Sequence, residues 1–228
     1  MNIYYYLQWL CYDRPRFMHE VYLHAKTMSQ VDDYIQSSSR FSQFKSVFLN
    51  RKSQFQQMES QLAATNISIV SIDDSCYPSQ LHQLHDPPFA LFYLGDKQLM
   101  QHQLLGMVGS RKPSILARQR TSQLVSLVSG YSIVSGGALG IDSFAHESAL
   151  NTGLDTIVVF ACGLDCLHPK TNHYLFKRLL ESNKALFLSE CPPGVIPRPY
   201  YFPQRNRIIA ALSAKLVIIE ALAKSGAV

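Results

Sequence analysis

Two textures divide the chain. Up to about residue 60, apolar positions fall at helical spacing, as in Phe17, Val21 and Leu23 or Phe44, Val47 and Phe48, amid Gln and Ser and without a glycine. This pattern predicts several short helices and hence a small helical domain over residues 1–62. From Ile67 the pattern changes to the alternating run Ile67-Ser68-Ile69-Val70-Ser71-Ile72, a strand, followed by turn signals at Asp73 to Pro78 and Asp86-Pro87-Pro88. Strand and helix patterns then alternate. Leu104–Val108 leads into a helix from about Pro113 to Ser129, and Ile133-Val134 into a helix after Gly140. Thr156–Phe160 precedes a helix near Asn172 to Glu181, and Ala185–Leu188 one near Arg205 to Leu212, with Leu216–Ile219 last. Continuously apolar strands such as Ile157-Val158-Val159-Phe160 belong to a parallel sheet covered on both faces. The expectation is an α/β, Rossmann-like domain over residues 63–228, whose ligands lie at the carboxyl ends of its strands.

The stretch Tyr131 to His146 gives that edge its most telling element. Ile133-Val134 runs directly into Ser135-Gly136-Gly137-Ala138-Leu139-Gly140, after which Ile141, Ala145 and Ala149 recur at helical spacing. A glycine turn between a strand and a helix N-terminus brings backbone N–H groups and a positive dipole end to one place, which suits a phosphate. A tight crossover with no ligand needs the same glycines, so the turn alone leaves both readings open.

Composition narrows the class only a little. The 228 residues carry 21 Lys+Arg against 16 Asp+Glu, a net charge of +5, which permits a polyanionic partner without requiring one. Distribution is more informative: Arg198 through Lys215 holds four basic residues and no acidic one. The five cysteines are scattered, and Cys162 and Cys166 lack a second pair that would complete a zinc set. No stretch approaches the roughly 18 apolar residues of a membrane span, and the first residues lack the basic and apolar regions of an export signal. A reducing cytoplasm is the expected compartment. The chain stops at Lys224-Ser225-Gly226-Ala227-Val228, a strand exit and glycine turn with no helix after it, which reads as a truncated domain.

Four strand exits gather polar groups at the carboxyl edge. Gly109-Ser110-Arg111-Lys112 sets an arginine fork, suited to phosphate, directly after a buried strand; capping a neighbouring carbonyl is the alternative role for Arg111. The second exit is the Ser135 to Asp142 turn, where Asp142 stabilises its own helix N-terminus. The third, Ala161 to Asn172, supplies Lys170 as a point charge, Asn172 as a helix cap and His168 as a loop hydrogen-bonding residue. The fourth, Ser189-Glu190-Cys191, leads through prolines to Tyr200-Tyr201-Phe202-Pro203-Gln204-Arg205-Asn206-Arg207. Rings beside arginines are what a single-stranded nucleic acid uses for stacking and phosphate contacts, and they are also what a packed core beside solvated arginines looks like.

Taken in order, Gly109-Ser110-Arg111, Ser135-Gly136-Gly137-Ala138-Leu139-Gly140-Ile141-Asp142, Ala145-His146, Cys162-Gly163-Leu164-Asp165, Ser189-Glu190 and Phe202 to Ala210 closely resemble the DprA/Smf family of DNA-processing proteins. The resemblance is strongest from about Tyr77 to Gly226, while residues 1–62 resemble the family's small helical, SAM-like domain only in position and character. It implies an extended Rossmann fold without enzymatic activity, catalytic residues, cofactor or metal. The implied function is to bind and protect single-stranded DNA and to help load the recombinase RecA on it during natural transformation, usually as a homodimer. The family's DNA-binding positions fall on Gly109, Ser110, Arg111, Ser135, Gly136, Gly137, Lys170, Phe202, Arg205, Asn206 and Arg207. Two departures stand out: many members have a basic residue where this chain has Leu139, and a tyrosine where it has His168.

A rival reading is a nucleotide phosphoribohydrolase on a related fold, with Glu190 as the acid and Arg111 holding a phosphate. The Gly-Gly-x-Gly-Thr-x-x-Glu pattern of those enzymes is absent. A dinucleotide-dependent oxidoreductase fares worse, since no Gly-x-Gly-x-x-Gly opens the first βαβ unit.

Overall fold

In the computed structural model the structure describes residues 2–221, apart from the side chains at positions 56, 59, 61 and 63. The expected break at Lys224 to Val228 lies outside the described residues. Four helices open the chain: α1 (Ile3–Cys11), α2 (Pro15–His24), α3 (Met28–Ser37) and α4 (Lys45–Ala63). Local chemistry sets their starts. The Asn2 side chain accepts from the Tyr4 N–H, Pro15 sits in the first turn of α2, and Thr27 and Gln30 form a reciprocal capping box on α3.

The remainder alternates β1 (Ser68–Ser71), β2 (Ala90–Gly95), β3 (Leu104–Gly109), α5 (Ile115–Leu127), β4 (Ser132–Ser135), α6 (Ile141–Thr152), β5 (Thr156–Phe160), α7 (His173–Glu181), β6 (Ala185–Ser189), α8 (Tyr201–Leu212) and β7 (Lys215–Ile219). The seven strands form one sheet in the order β1-β2-β6-β5-β4-β3-β7. The pairs from β6 through β5, β4 and β3 to β7 are parallel, whereas β2 runs antiparallel to both β6 and β1. The expected mostly parallel sheet is present with one addition: β2, Ala90–Gly95, was not anticipated, because its apolar run follows directly on the Asp86-Pro87-Pro88 loop.

Strand alternation assigns the two faces. Val158 and Phe160 of β5 pack with Phe176 of α7 and with α1–α4 in one cluster, while Ile157 and Val159 pack with Ile208, Ile209 and Leu212 of α8 in another. Helices α5 and α6 cover Met107 and Ile133 through Ala117, Val125, Ala145 and Ala149. The chain thus returns from β6 to β7 across the face opposite α7.

The helical segment shares its core with the sheet. Phe41, Phe44 and Phe48 belong to the same cluster as Phe92, Phe160 and Phe187. Most N-terminal aromatics are therefore core residues, as their helical spacing suggested. A buried glutamine fixes the junction: Gln8 Nε2 donates to the Glu190 carbonyl at 2.9 Å, and its Oε1 accepts from the N–H groups of Phe89 (2.9 Å) and Ala90 (3.3 Å). Gln8→Leu leaves those backbone groups unpaired and is expected to lower stability by about 1–3 kcal/mol, read as a drop in the urea midpoint; a neutral result would show that water reaches the junction.

Candidate functional site

The carboxyl ends of the parallel strands carry a cleft of about 90 Å³ whose lining includes Arg111, Leu139, His168, Phe202 and, at its floor, Arg205 and Gly136. Its rim is cationic and aromatic. Arg111 is exposed, with its guanidinium carbon 5.5 Å from the Phe202 ring centroid, and the half-buried Phe202 meets the His168 ring edge to face at 6.2 Å. Lys170, exposed, follows His168 and Pro169 at the start of the turn that leads into α7. At the neighbouring exit, Ser110 Oγ accepts from the Lys112 N–H at 3.1 Å, its carbonyl accepts from the Ile141 N–H at 3.1 Å, and Gly109 lies close against Ile219 of β7. The first exit is thereby tied to the start of α6.

Beneath the rim lies a buried polar core that spacing alone did not disclose. Arg205 is 4% exposed, and its Nη1 donates to the carbonyls of Gly136 and Val159 at the ends of β4 and β5. Asp142, also buried, accepts from the Ala138 N–H at 3.3 Å. Burial pushes the Asp142 carboxyl above the usual carboxylate range, against the pull of Arg205 and of the N–H groups of Ala138 and Gly136. Burial likewise lowers Arg205, against the pull of Asp142. The glycine turn thus directs its donors to a carboxylate of its own helix, and the residues expected to cradle phosphate serve first to seat Arg205.

Gly136 has no room for a Cβ, which would stand 2.0 Å from Arg205 Nη1, and Gly137 takes φ +66° with Val158 Cγ1 2.7 Å from where a Cβ would be. Ser135 is fully buried and donates to the Met107 carbonyl at 2.6 Å, so it braces β3 against β4. Arg207 departs from its expected role too. Its Nη2 pairs with Glu190, and its Nε stands 3.6 Å from Asp86, away from the cleft lining. Asn206 is half-buried between these two arginines.

Other expectations are also revised. Asn172 does not cap α7 with its side chain; it donates to the Gly137 carbonyl at 2.9 Å and pins the turn from below. Glu190 is buried, held by Arg207, and pushed up to about 7 by burial; it does not line the cleft, which removes the geometric basis for a glycosidic acid there. Asp165 accepts from the Gly194 N–H at 2.8 Å and so ties the third exit to the fourth. Among the described residues no His, Cys, Asp and Glu group could hold a metal ion.

The carboxyl edge of this Rossmann-like sheet thus carries a cleft with Arg111 and Phe202 in its lining and the buried Arg205 beneath them. Residues 57–228 match the family model described as DNA recombination-mediator protein A. The chain is 42% identical over 159 residues to DNA processing protein DprA of Streptococcus pneumoniae, covering 68% of this chain and 55% of that protein. It is 40% identical over 168 residues to Protein Smf of a Synechocystis strain, covering 71% and 42%. The chain therefore spans about half the length of the curated relatives it matches. The X-ray structure of the S. pneumoniae protein superposes with a TM-score of 0.74 at 33% identity, over 96% of this chain and 75% of that one. DNA processing protein A of Helicobacter pylori, studied for its single-stranded DNA binding mode, gives 0.63 at 33% identity over 70% and 72%. The chain belongs to the DprA/Smf family.

Two expected outcomes follow from the buried core. Gly137→Ala combines positive φ with the Val158 contact, so it lowers stability by about 1 kcal/mol or more in thermal unfolding; an unchanged melting temperature would mean that the turn relaxes freely. His146 gives a pH signature. Thr156 Oγ1 donates to the Ile133 carbonyl and so accepts from His146 Nδ1, which leaves Nε2 buried without a partner. Burial, with Arg205, lowers His146 to about 3. The unfolded chain binds this proton below about 6.5 and the native one does not, so the contribution is present above that pH and is lost on acidification towards 3. Glu190, raised to about 7, acts in the opposite sense from about 4.5 upward, so the test is the difference between wild type and His146→Gln. That difference in unfolding free energy should shrink by up to about 1.4 kcal/mol per pH unit below about 6.5; a pH-independent difference would place water on His146.

Proposed function

We propose that this chain binds single-stranded DNA along the carboxyl edge of its sheet and protects it, handing it to the recombinase RecA during natural transformation. The observation that carries the reading is the exposed Arg111 guanidinium set over the Phe202 ring, with buried Arg205 below and the exposed Lys170 next in the chain to Pro169 of the cleft lining. A planar cation beside a ring meets both halves of a nucleotide, its phosphate and its base. Relatives named for DNA processing, and the H. pylori protein's single-stranded DNA binding, support the same assignment.

Within this proposal Arg111 and Lys170 contact phosphates and Phe202 stacks a base. Ser110, Asn206 and the backbone at Gly109, Gly136 and Gly137 shape the site, while Ser135 and Arg205 hold it from below and Arg207 acts through its ion pair. The division into a helical unit over 1–62 and a DNA-binding unit over 63–228, a homodimer as the working assembly and a cytoplasmic location belong to the same proposal. No helix among the described residues is long and apolar enough to cross a membrane.

The experiment is a binding titration with single-stranded and double-stranded DNA of equal length across a salt series. Arg111→Ala and Lys170→Ala should each weaken binding for every sequence and flatten the log–log salt slope by about 0.7, one phosphate contact on a single strand. Phe202→Ala should weaken binding by about 1–3 kcal/mol with little change in slope. Equal affinity for both DNA forms, or a slope unmoved by Arg111→Ala, would overturn the assignment.

A further inference from the structure

A second, larger groove, of about 500 Å³, lies where the helical segment meets the loop before α8. Trp9 and Tyr12 of the helical segment and Tyr200 and Tyr201 at the start of α8 line it, together with Arg14 and Arg198. The rings form a continuous patch: Tyr12 and Tyr201 are 6.0 Å apart between centroids, and Tyr201 and Tyr200 4.3 Å. Asp13, the one acid among the described lining residues, is neutralised by Arg51 at 2.7 Å. Arg14 and Arg198 are exposed and enter no ion pair among the described residues, so the groove carries net positive charge over aromatic surface.

The groove adjoins the cleft along one loop. Pro197 lines the cleft, whereas its neighbours Ile196 and Arg198 line the groove. At the start of α8, Tyr201 faces the groove and Phe202 the cleft. A flexible polyanion seated at Arg111 and Phe202 therefore meets, across one proline, a second set of rings and cations.

We propose that this groove is a second nucleotide-binding stretch, in which the same DNA strand, on leaving the edge cleft, stacks a base on Tyr200 and sets its phosphate against Arg198. The proposal rests on single-stranded DNA being the ligand of the edge cleft. It gives the helical segment a role in binding, by supplying part of the groove's lining.

The test measures affinity of the full chain for oligothymidylates of increasing length, from about 4 to about 20 nucleotides, a range that brackets the usual footprint of one such site. Tyr200 is 47% exposed and Arg198 is exposed, so Tyr200→Ala and Arg198→Glu should keep the wild-type melting temperature. The expected result is wild-type affinity for the shortest strands that bind, and a loss of about fivefold or more for long strands with Tyr200→Ala. Arg198→Glu should lose long-strand affinity as well and flatten its salt slope by about 0.7 or more. Wild-type affinity of both variants at every length, as expected if the groove holds a peptide or only water, would overturn the proposal. An equal loss at short and long lengths would overturn it too, by assigning the loop to the edge cleft. Failure of the unmodified chain to bind single strands of any length would instead remove the edge-cleft reading on which it rests. Should Tyr200→Ala melt early, Arg198→Glu decides alone, since it removes no packed ring.

Discussion

The buried guanidinium of Arg205 is the interaction on which the carboxyl edge depends. A charge removed from water is strongly unfavourable unless several groups replace its hydration. Here the carbonyls of Gly136 and Val159 accept from it and Asp142 offsets its charge, so one side chain of α8 joins the ends of β4 and β5 to the N-terminus of α6. Gly136 is bare so that the guanidinium can lie against it, and Gly137 takes the positive φ that returns the chain above Val158. Asn172 fastens the same turn by its Gly137 carbonyl. With the floor fixed in this way, Arg111, His168 and Phe202 converge at the rim without any of them being buried.

The sheet was legible because apolar strands and amphipathic helices alternate with clear punctuation, and the exits followed from that alternation. The roles of the cations were not, because a basic residue in a motif looks the same whether it faces solvent, ligand or core. Arg205 and Arg207 illustrate the reason. At about 100° per residue, positions two apart lie on opposite sides of a helix, whereas Phe202 and Arg205, three apart, share a side. Once α8 is known to begin at Tyr201, helical geometry separates a cleft-facing pair from an arginine turned toward Glu190 and Asp86. In a helix starting near Arg205, Phe202 lies outside the helix, so nothing places its ring on the side of Arg205. The Asn172 contact bridges 35 positions to Gly137, and no local signal announces it.

The junction between helices and sheet shows a related limit. Composition separates the two segments sharply at about residue 62, yet one hydrophobic cluster runs from Leu7 and Phe48 to Phe160 and Phe187, and Gln8 answers three backbone groups of the sheet side. A buried amide satisfied at both ends specifies one docking geometry and penalises others, since any shift leaves polar groups unpaired. Aromatic richness in the first segment therefore mostly reports core packing. Trp9, packed against that cluster, and Tyr12, packed against the cluster of Tyr201, also reach the groove.

Charge sets a limit on what the edge cleft achieves by itself. If the proposed single-strand binding holds, phosphate contacts from the exposed Arg111 and Lys170 would give a salt slope near −1.4, about a sevenfold loss of affinity from about 50 to about 200 mM salt. That is a weak electrostatic hold for a protein whose net charge is only +5. Stacking then has to carry a larger share, and each further base on a ring adds about 1–3 kcal/mol without salt sensitivity. Leu139, exposed on the cleft, adds apolar surface and no charge there. A second copy of the chain on the same strand would raise affinity by making its own contacts intramolecular, with no stronger site required. On the proposed function, binding at physiological salt would therefore rest on stacked bases and on the number of sites a strand spans, more than on the charge of any one cleft.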